Sequence, residues 1–297
     1  MVNVNDIVKE THRELEKLLG GRAPAANALS GGGFSRNAQA APLGPAIVPA
    51  GSAAVPAGSA ARPAAPAAER APVLGRGVYS AVPGRLEHSL LDPGITREKV
   101  IGECELALQY GIGVVVVSPY FVESAATVLG RTGTAVCSVA GFPHGAASQT
   151  AKSAELRECI RRGAVEMDVA LNILAIKSGE PGVCRRELQE MLQIARGRCR
   201  IKAIYEQSLY NDEEKKTVLS LIRECACDFV KISNALTGKK AEEADLRFVR
   251  EMVGPKVGIK IDGGVKTLAR TLELFGAGAD RIGMSATIAV AGEALGS

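Results

Sequence analysis

The chain has 297 residues, 46% hydrophobic and 23% charged, with 36 Lys+Arg against 32 Asp+Glu, which suits one large or two small soluble domains. Aromatics make up 4% and Trp is absent, which argues against a nucleic-acid binder, whose surface gathers Lys and Arg with aromatics to stack bases. No run approaches the roughly 18 consecutive apolar residues a membrane span needs, and seven cysteines at irregular spacing, without paired CxxC motifs, point to reduced thiols in the cytoplasm.

The chain opens with an amphipathic pattern over residues 3–19. Val4, Ile7, Val8, Leu15, Leu18 and Leu19 share one face of a 3.6-residue helix. Asn3 or Asn5 caps its start, Asp6 suits the first turn, and Gly20-Gly21 supplies the stop. Charges spread throughout exclude a secretory signal peptide. A lone helix of this length is marginal in water and needs a surface for its apolar stripe. That surface is either the chain's own catalytic domain or a groove in another protein; a membrane surface fits less well, because the polar face mixes Lys9, Arg13 and Lys17 with Glu10, Glu14 and Glu16.

Residues 21–80 change character. They hold 19 Ala, 9 Gly and 8 Pro, so 36 of 60 positions are three small residue types that cannot build a core. Five Arg against one Glu, with no Lys or Asp, give this stretch +4, the formal charge of the whole protein. The basic balance therefore belongs to a disordered linker, and a tether of that length favours a helix that docks elsewhere.

From residue 81 to 297, short Val/Ile-rich runs alternate with amphipathic stretches. The runs fall at 113–117, 134–141, 165–171, 200–206, 228–233, 257–264 and 280–285, with a poorer one near 85–88. Apolar runs without alternation suit strands covered on both faces, and strand-helix alternation implies a parallel sheet. Eight such units predict an α/β (β/α)8 TIM barrel. The competitor, a doubly wound open sheet, lacks its Gly-rich fingerprint here.

Working residues of such barrels sit at the C-terminal ends of strands, which here gives Asp168, Glu206, Lys231 and Lys260. An isolated lysine at a strand end more often only pairs with an acid. Two of them beside Asp168 favour a buried amine whose pKa is lowered by desolvation and a neighbouring cation, able to attack a carbonyl and form a Schiff base. Gly263-Gly264 after the seventh strand, and Gly283 and Ser285 at the eighth, fall where barrels present backbone N–H groups to phosphate; Ser233 can add a donor. The Lys239-Lys240 pair reads as a solvated loop tip. Cys225 and Cys227 have no matching partner pair, so no metal site is expected.

These motifs, in order, resemble the deoxyribose-phosphate aldolase family from about Leu86 to Ser285. They are EMDVALN at 166–172 followed by AIKSG at 175–179, DFVKIS at 228–233, VGIKIDGGV at 257–265, GFPHGA at 141–146 and RIGMS at 281–285. The resemblance implies a class I aldolase without cofactor or metal. Lys231 would form the Schiff base, Lys260 would perturb its pKa and relay protons, and Asp168 would complete the relay. The iminium would serve as electron sink while a carbon–carbon bond of 2-deoxyribose 5-phosphate breaks to acetaldehyde and glyceraldehyde 3-phosphate. A homodimer is the assembly the resemblance suggests.

Departures from the family pattern stand beside these matches. Glu87-His88-Ser89 replaces the usual Asp-His-Thr, Ile232 and Ile261 replace small residues, and Gln207 follows Glu206 in place of Thr. Asp262 is the sharpest: facing inward it would hold Lys260 as a cation or repel a phosphate, and facing outward it would be a turn acid. An aldolase for another sugar phosphate, or a degenerate barrel that only binds or scaffolds, therefore stays open. The helix-linker-enzyme architecture resembles the encapsulation peptides of bacterial microcompartments, which implies a shell or cargo protein as partner for residues 3–19.

Overall fold

The computed structural model describes residues 82–296 except 235 and 241. The targeting helix expected at 1–20 and the linker at 21–80 lie outside the described residues. Among the described residues the β-branched runs form eight strands: β1 (Leu86–Leu90), β2 (Val114–Val117), β3 (Ala135–Ala140), β4 (Glu166–Ala170), β5 (Arg200–Glu206), β6 (Phe229–Ser233), β7 (Gly258–Asp262) and β8 (Arg281–Met284). Each pairs in parallel with the next, and β8 returns to β1, so the sheet closes into the expected TIM barrel. Seven of the eight predicted runs contain their strand, and the poorest one overlaps β1, which is shifted by a residue or two from 85–88.

The helices cover the outside. They are α1 (Arg97–Gln109), α2 (Val122–Leu129), α3 (Gln149–Arg161), α4 (Ile173–Lys177), α5 (Pro181–Ala195), α6 (Asp212–Glu224), α7 (Glu243–Val253), α8 (Leu268–Gly276) and α9 (Thr287–Leu295). Their starts are set by local chemistry. Thr96, Ser148, Asn211 and Thr267 each accept a hydrogen bond from a first-turn backbone N–H, and Asn211 forms a reciprocal capping box with Glu214. None of these helices is long and apolar enough to cross a membrane.

Strand alternation divides the buried residues into two populations. Met167 and Val169 on β4, Ile201 and Ala203 on β5, Val230 and Ile232 on β6, and Ile259 and Ile261 on β7 point outward into the apolar layer shared with the helices. Two departures noted in the sequence, Ile232 and Ile261, therefore face away from the chemistry. The residues between them face the barrel axis. On β2 and β3 these are Val114, Val116, Cys137 and Val139, a small apolar cluster of their own. On the remaining strands they include the charged Glu87, Glu166, Asp168, Lys202, Lys231 and Lys260, all buried, with Ile204 and Phe229 among them. One sector of the barrel interior is apolar, and the charges gather in the rest.

The loop after β3 is pinned by a backbone approach. Gly145 has φ 66°, and a Cβ there would lie 1.8 Å from the carbonyl oxygen of Leu171, beyond β4. Gly111 has a similar φ of 65° but open space around it. Gly111→Ala is therefore expected to cost about 1 kcal/mol, the price of a left-handed conformation alone. Gly145→Ala, which adds a backbone overlap, should cost roughly 3 kcal/mol or more; urea unfolding of the two variants checks the difference.

Candidate active site

Asp168 is the third residue of β4 and is fully buried. Three ammonium groups converge on it. Lys231 and Lys260 reach its Oδ2 at 2.9 and 2.8 Å, and Lys202 reaches Oδ1 at 3.1 Å. Lys231 is the middle residue of β6 and Lys260 the middle residue of β7, and the two are register partners across that strand pair. All three therefore sit mid-strand, deeper than the strand ends from which the sequence placed them. The cause is alternation: the inward positions with room for a long side chain lie inside the barrel, and each lysine spans from its own strand to β4.

The sequence reading missed much of this network. Lys202 on β5 also touches Glu166 Oε2 at 2.7 Å and Glu87 Oε2 at 3.3 Å. Glu87 on β1 binds Lys260 at 2.6 Å and Arg281 at 3.4 Å, and Arg281 also binds Glu166 at 3.1 Å. The signal for Lys202 was present, since it stands in an apolar run as Lys231 does. Taking the last residue of β5 selected Glu206 instead. Glu206 lies apart from the lysines and accepts a hydrogen bond from the Ser233 hydroxyl. Glu87, Cys137 and Asp168 converge closely enough to cradle a cation, and the Lys202 ammonium is there, 3.2 Å from Cys137 Sγ.

Burial makes these charges interdependent. By itself it would raise the pKa of Asp168, but Lys202, Lys231 and Lys260 hold the carboxyl well below its ordinary range. Burial opposes ionisation of Glu87 too, and Lys202 and Lys260 carry it down to about 2. For Lys231, burial lowers the pKa; the carboxylates of Asp168 and Asp262 outweigh it together with the repulsion from Lys260, and the net direction is up. The resting nucleophile candidate is thus an ammonium, opposite to the lowered amine expected from desolvation and a neighbouring cation. Two carboxylates in contact with it, Asp168 and Asp262, reverse the sign.

That second carboxylate is Asp262, the last residue of β7. It faces the site, and its nearer lysine is Lys231: Oδ2 lies 2.7 Å from Lys231 Nζ, while Oδ1 is 3.7 Å from Lys260 Nζ. Gly283, its register partner on β8, makes room for it. A Cβ at Gly283 would stand 1.8 Å from Asp262 Oδ1 and 3.0 Å from Lys260 Cε.

Above this cluster a cavity of about 470 Å³ opens at the C-terminal end of the strands. Lys231, Ser233, Asp262, Gly263 and Gly264 line it, with Lys239, Lys240 and Lys266. Gly263 and Gly264 have φ of 114° and 74°, a turn only glycine adopts without strain. The Lys239-Lys240 pair thus borders the cavity and is more than a loop tip. Gly283 and Ser285 do not line it: Gly283 is buried inside β8, and Ser285 is exposed beyond the strand. A larger cavity, about 600 Å³, lies at the opposite end beside Gly113, Arg198, Arg200 and Arg281, and none of the three lysines lines it.

Comparison with known proteins agrees with this geometry. Residues 84–290 match the model of the DeoC/LacD family aldolases. Deoxyribose-phosphate aldolase 1 of Bacillus licheniformis is 37% identical over 205 residues, 69% of this chain and 92% of the relative. The chain belongs to the DeoC/LacD aldolase family. The deoxyribose-phosphate aldolase of Enterococcus faecalis is 37% identical over 211 residues, 71% of this chain and 96% of its own. Among solved structures, the tetrameric deoxyribose phosphate aldolase of Aeropyrum pernix superposes with a TM-score of 0.68 at 28% identity, covering 74% of this chain and 93% of that one.

Within this DeoC/LacD barrel, Glu87 is the acid whose loss is simplest to read. Removing one partner of a buried ion cluster leaves uncompensated charge, so Glu87→Gln is expected to destabilise the protein by about 3–5 kcal/mol at pH 7. A carboxylate with a depressed folded pKa stabilises above its unfolded value, near 4.5, and loses that contribution as pH falls toward 2. The gap between wild type and variant should therefore narrow across that window, measured by chemical unfolding at pH 7, 4.5 and 3.

Proposed function

We propose that the barrel is a class I aldolase that reversibly cleaves 2-deoxyribose 5-phosphate to acetaldehyde and glyceraldehyde 3-phosphate. The reading is carried by one arrangement: a buried lysine, Lys231, that both lines a cavity and shares Asp168 Oδ2 with a second lysine, Lys260. The names of the relatives supply the substrate; the geometry supplies groups able to act on it.

In this mechanism Lys231 loses a proton and attacks the C1 aldehyde, giving a carbinolamine that expels water to form an iminium. Asp168, held beside Lys260, passes protons to the departing hydroxyl and accepts the proton of the C3 hydroxyl. The C2–C3 bond then breaks, its electrons moving into the iminium to leave an acetaldehyde enamine and release glyceraldehyde 3-phosphate. Protonation of the enamine and hydrolysis free acetaldehyde and Lys231. Lys260, itself held as a cation because Asp168, Asp262 and Glu87 outweigh its burial, returns Asp168 to the carboxylate form between these transfers. Substrate phosphate would lie at Gly263 and Gly264, where Lys239, Lys240 and Lys266 add positive charge and Ser233 stands nearby. Gly283 contributes by its lack of a side chain, and Ser285 is left outside the cavity walls.

Recruitment through residues 3–19 into a bacterial microcompartment in the cytoplasm is the second half of the proposal. It rests on the amphipathic pattern, the long small-residue linker that follows, and a barrel that begins only after them.

Two measurements test these halves. Incubation with acetaldehyde and borohydride should add a stable mass to the peptide bearing Lys231, and Lys231→Leu should abolish both adduct and cleavage; an adduct elsewhere sinks the mechanism. Residues 1–80 fused to a fluorescent protein should form puncta in cells that assemble microcompartments, and diffuse fluorescence would count against recruitment.

A further inference from the structure

Asp262 stands where the resemblance calls for a small residue, and the structure seats it firmly. Its Oδ2 contacts Lys231 Nζ at 2.7 Å, slightly closer than Asp168 at 2.9 Å. Its other oxygen packs against Gly283 in space that any Cβ would fill, is buried, and receives no hydrogen bond. The side chain is 20% exposed and borders the cavity. A turn acid would have none of these properties.

We propose that Asp262 is a second catalytic carboxylate, the counter-ion of the Lys231 nitrogen, which takes a proton from the resting ammonium and then faces the iminium. The inference rests on Lys231 being the nucleophile and adds a partner to it. The proton count supports such a role. An ammonium and an aldehyde give an iminium and water: two of the three nitrogen protons leave with the carbonyl oxygen, one remains, and the positive charge stays on nitrogen. Asp262 therefore begins and ends as a carboxylate beside a cation, having passed one proton to the departing oxygen. Oδ1, without a donor, is an open acceptor for the carbinolamine hydroxyl formed beside it.

The surroundings show why one acid is insufficient. Lys231 is faced by Asp168 from β4, by Asp262 and Lys260 from β7, and by the Phe142 ring after β3 at 5.9 Å. Behind Asp168 stand Lys202 on β5, Cys137 on β3 and Glu87 on β1, with Arg281 on β8 beyond. Lys239, Lys240 and Lys266 approach from the cavity side. Asp168 already serves three ammonium groups, so Lys231 depends on Asp262 for the rest of its compensation.

The test compares wild type with the near-isosteric Asp262→Asn and with Asp262→Ser. Lysines are acetylated with trace acetic anhydride at pH 8, and the rate at Lys231 is followed by mass spectrometry, with the exposed Lys256 as internal standard; this requires no turnover. Loss of the counter-ion should lower the Lys231 pKa by roughly one unit, and so raise its acetylation rate about tenfold while Lys256 is unchanged. The kcat for cleavage of 2-deoxyribose 5-phosphate should fall by about tenfold, because the iminium has lost its partner. An unchanged Lys231 rate in both variants overturns the proposal, as does a tenfold rise with kcat intact. Failure of the underlying reading looks different: wild-type protein would then give no borohydride adduct at Lys231 with acetaldehyde, whatever the acetylation rates.

Discussion

Everything in the centre of this barrel turns on one carboxylate shared by three ammonium groups. Asp168 is inaccessible to water, and an isolated charge there would cost several kcal/mol. It is tolerated because Lys202, Lys231 and Lys260 reach it from three successive strands, each within 3.1 Å. Those lysines in turn require Glu87, Glu166 and Asp262, and Glu166 draws in Arg281. The cluster is built as a closed set, in which every buried charge depends on at least one other member.

This explains the division of the barrel interior. Val114, Val116, Cys137 and Val139 form a dry wall on β2 and β3, while the other strands supply ions. A wall of low polarisability beside the ions keeps water out and strengthens each attraction, so the lysines hold fixed positions. Fixed donors and acceptors are what proton transfer needs, because no reorganisation has to precede it. The outer apolar layer, continuous between strands and helices, meanwhile supplies the favourable burial against which the ionic centre is set.

The fold was legible because its cause is local. Apolar runs such as Val114–Val117, separated by amphipathic stretches with capping residues, leave little choice but a parallel sheet covered by helices. Lys231, Lys260 and Asp168 were also legible, as charged residues where burial was expected. Lys202 was not picked out because strand-end position was weighted above strand alternation; Lys202, Ile204 and Glu206 share one side of β5, and only the first reaches the lysine cluster. The resting charge of Lys231 could not be deduced from its own strand, since it is set by Asp168 on β4 together with Asp262 on β7, and the second depends on which way Asp262 turns. A residue that ends a strand can turn toward the axis or into the loop, and the linear chain carries no sign of which until Gly283 is seen beside it.

The contact between Asp262 and Gly283 also constrains how such a site can change over evolutionary time. With the acid in this orientation, position 283 has no volume for even a methyl group, because the first atom of any side chain would overlap Oδ1 at 1.8 Å. A side chain on β8 there requires the acid to turn aside, shorten or leave, and Lys260 Cε, 3.0 Å from that same point, must give way slightly. Through that overlap a change on β8 is felt on β7, and the two positions are sterically coupled.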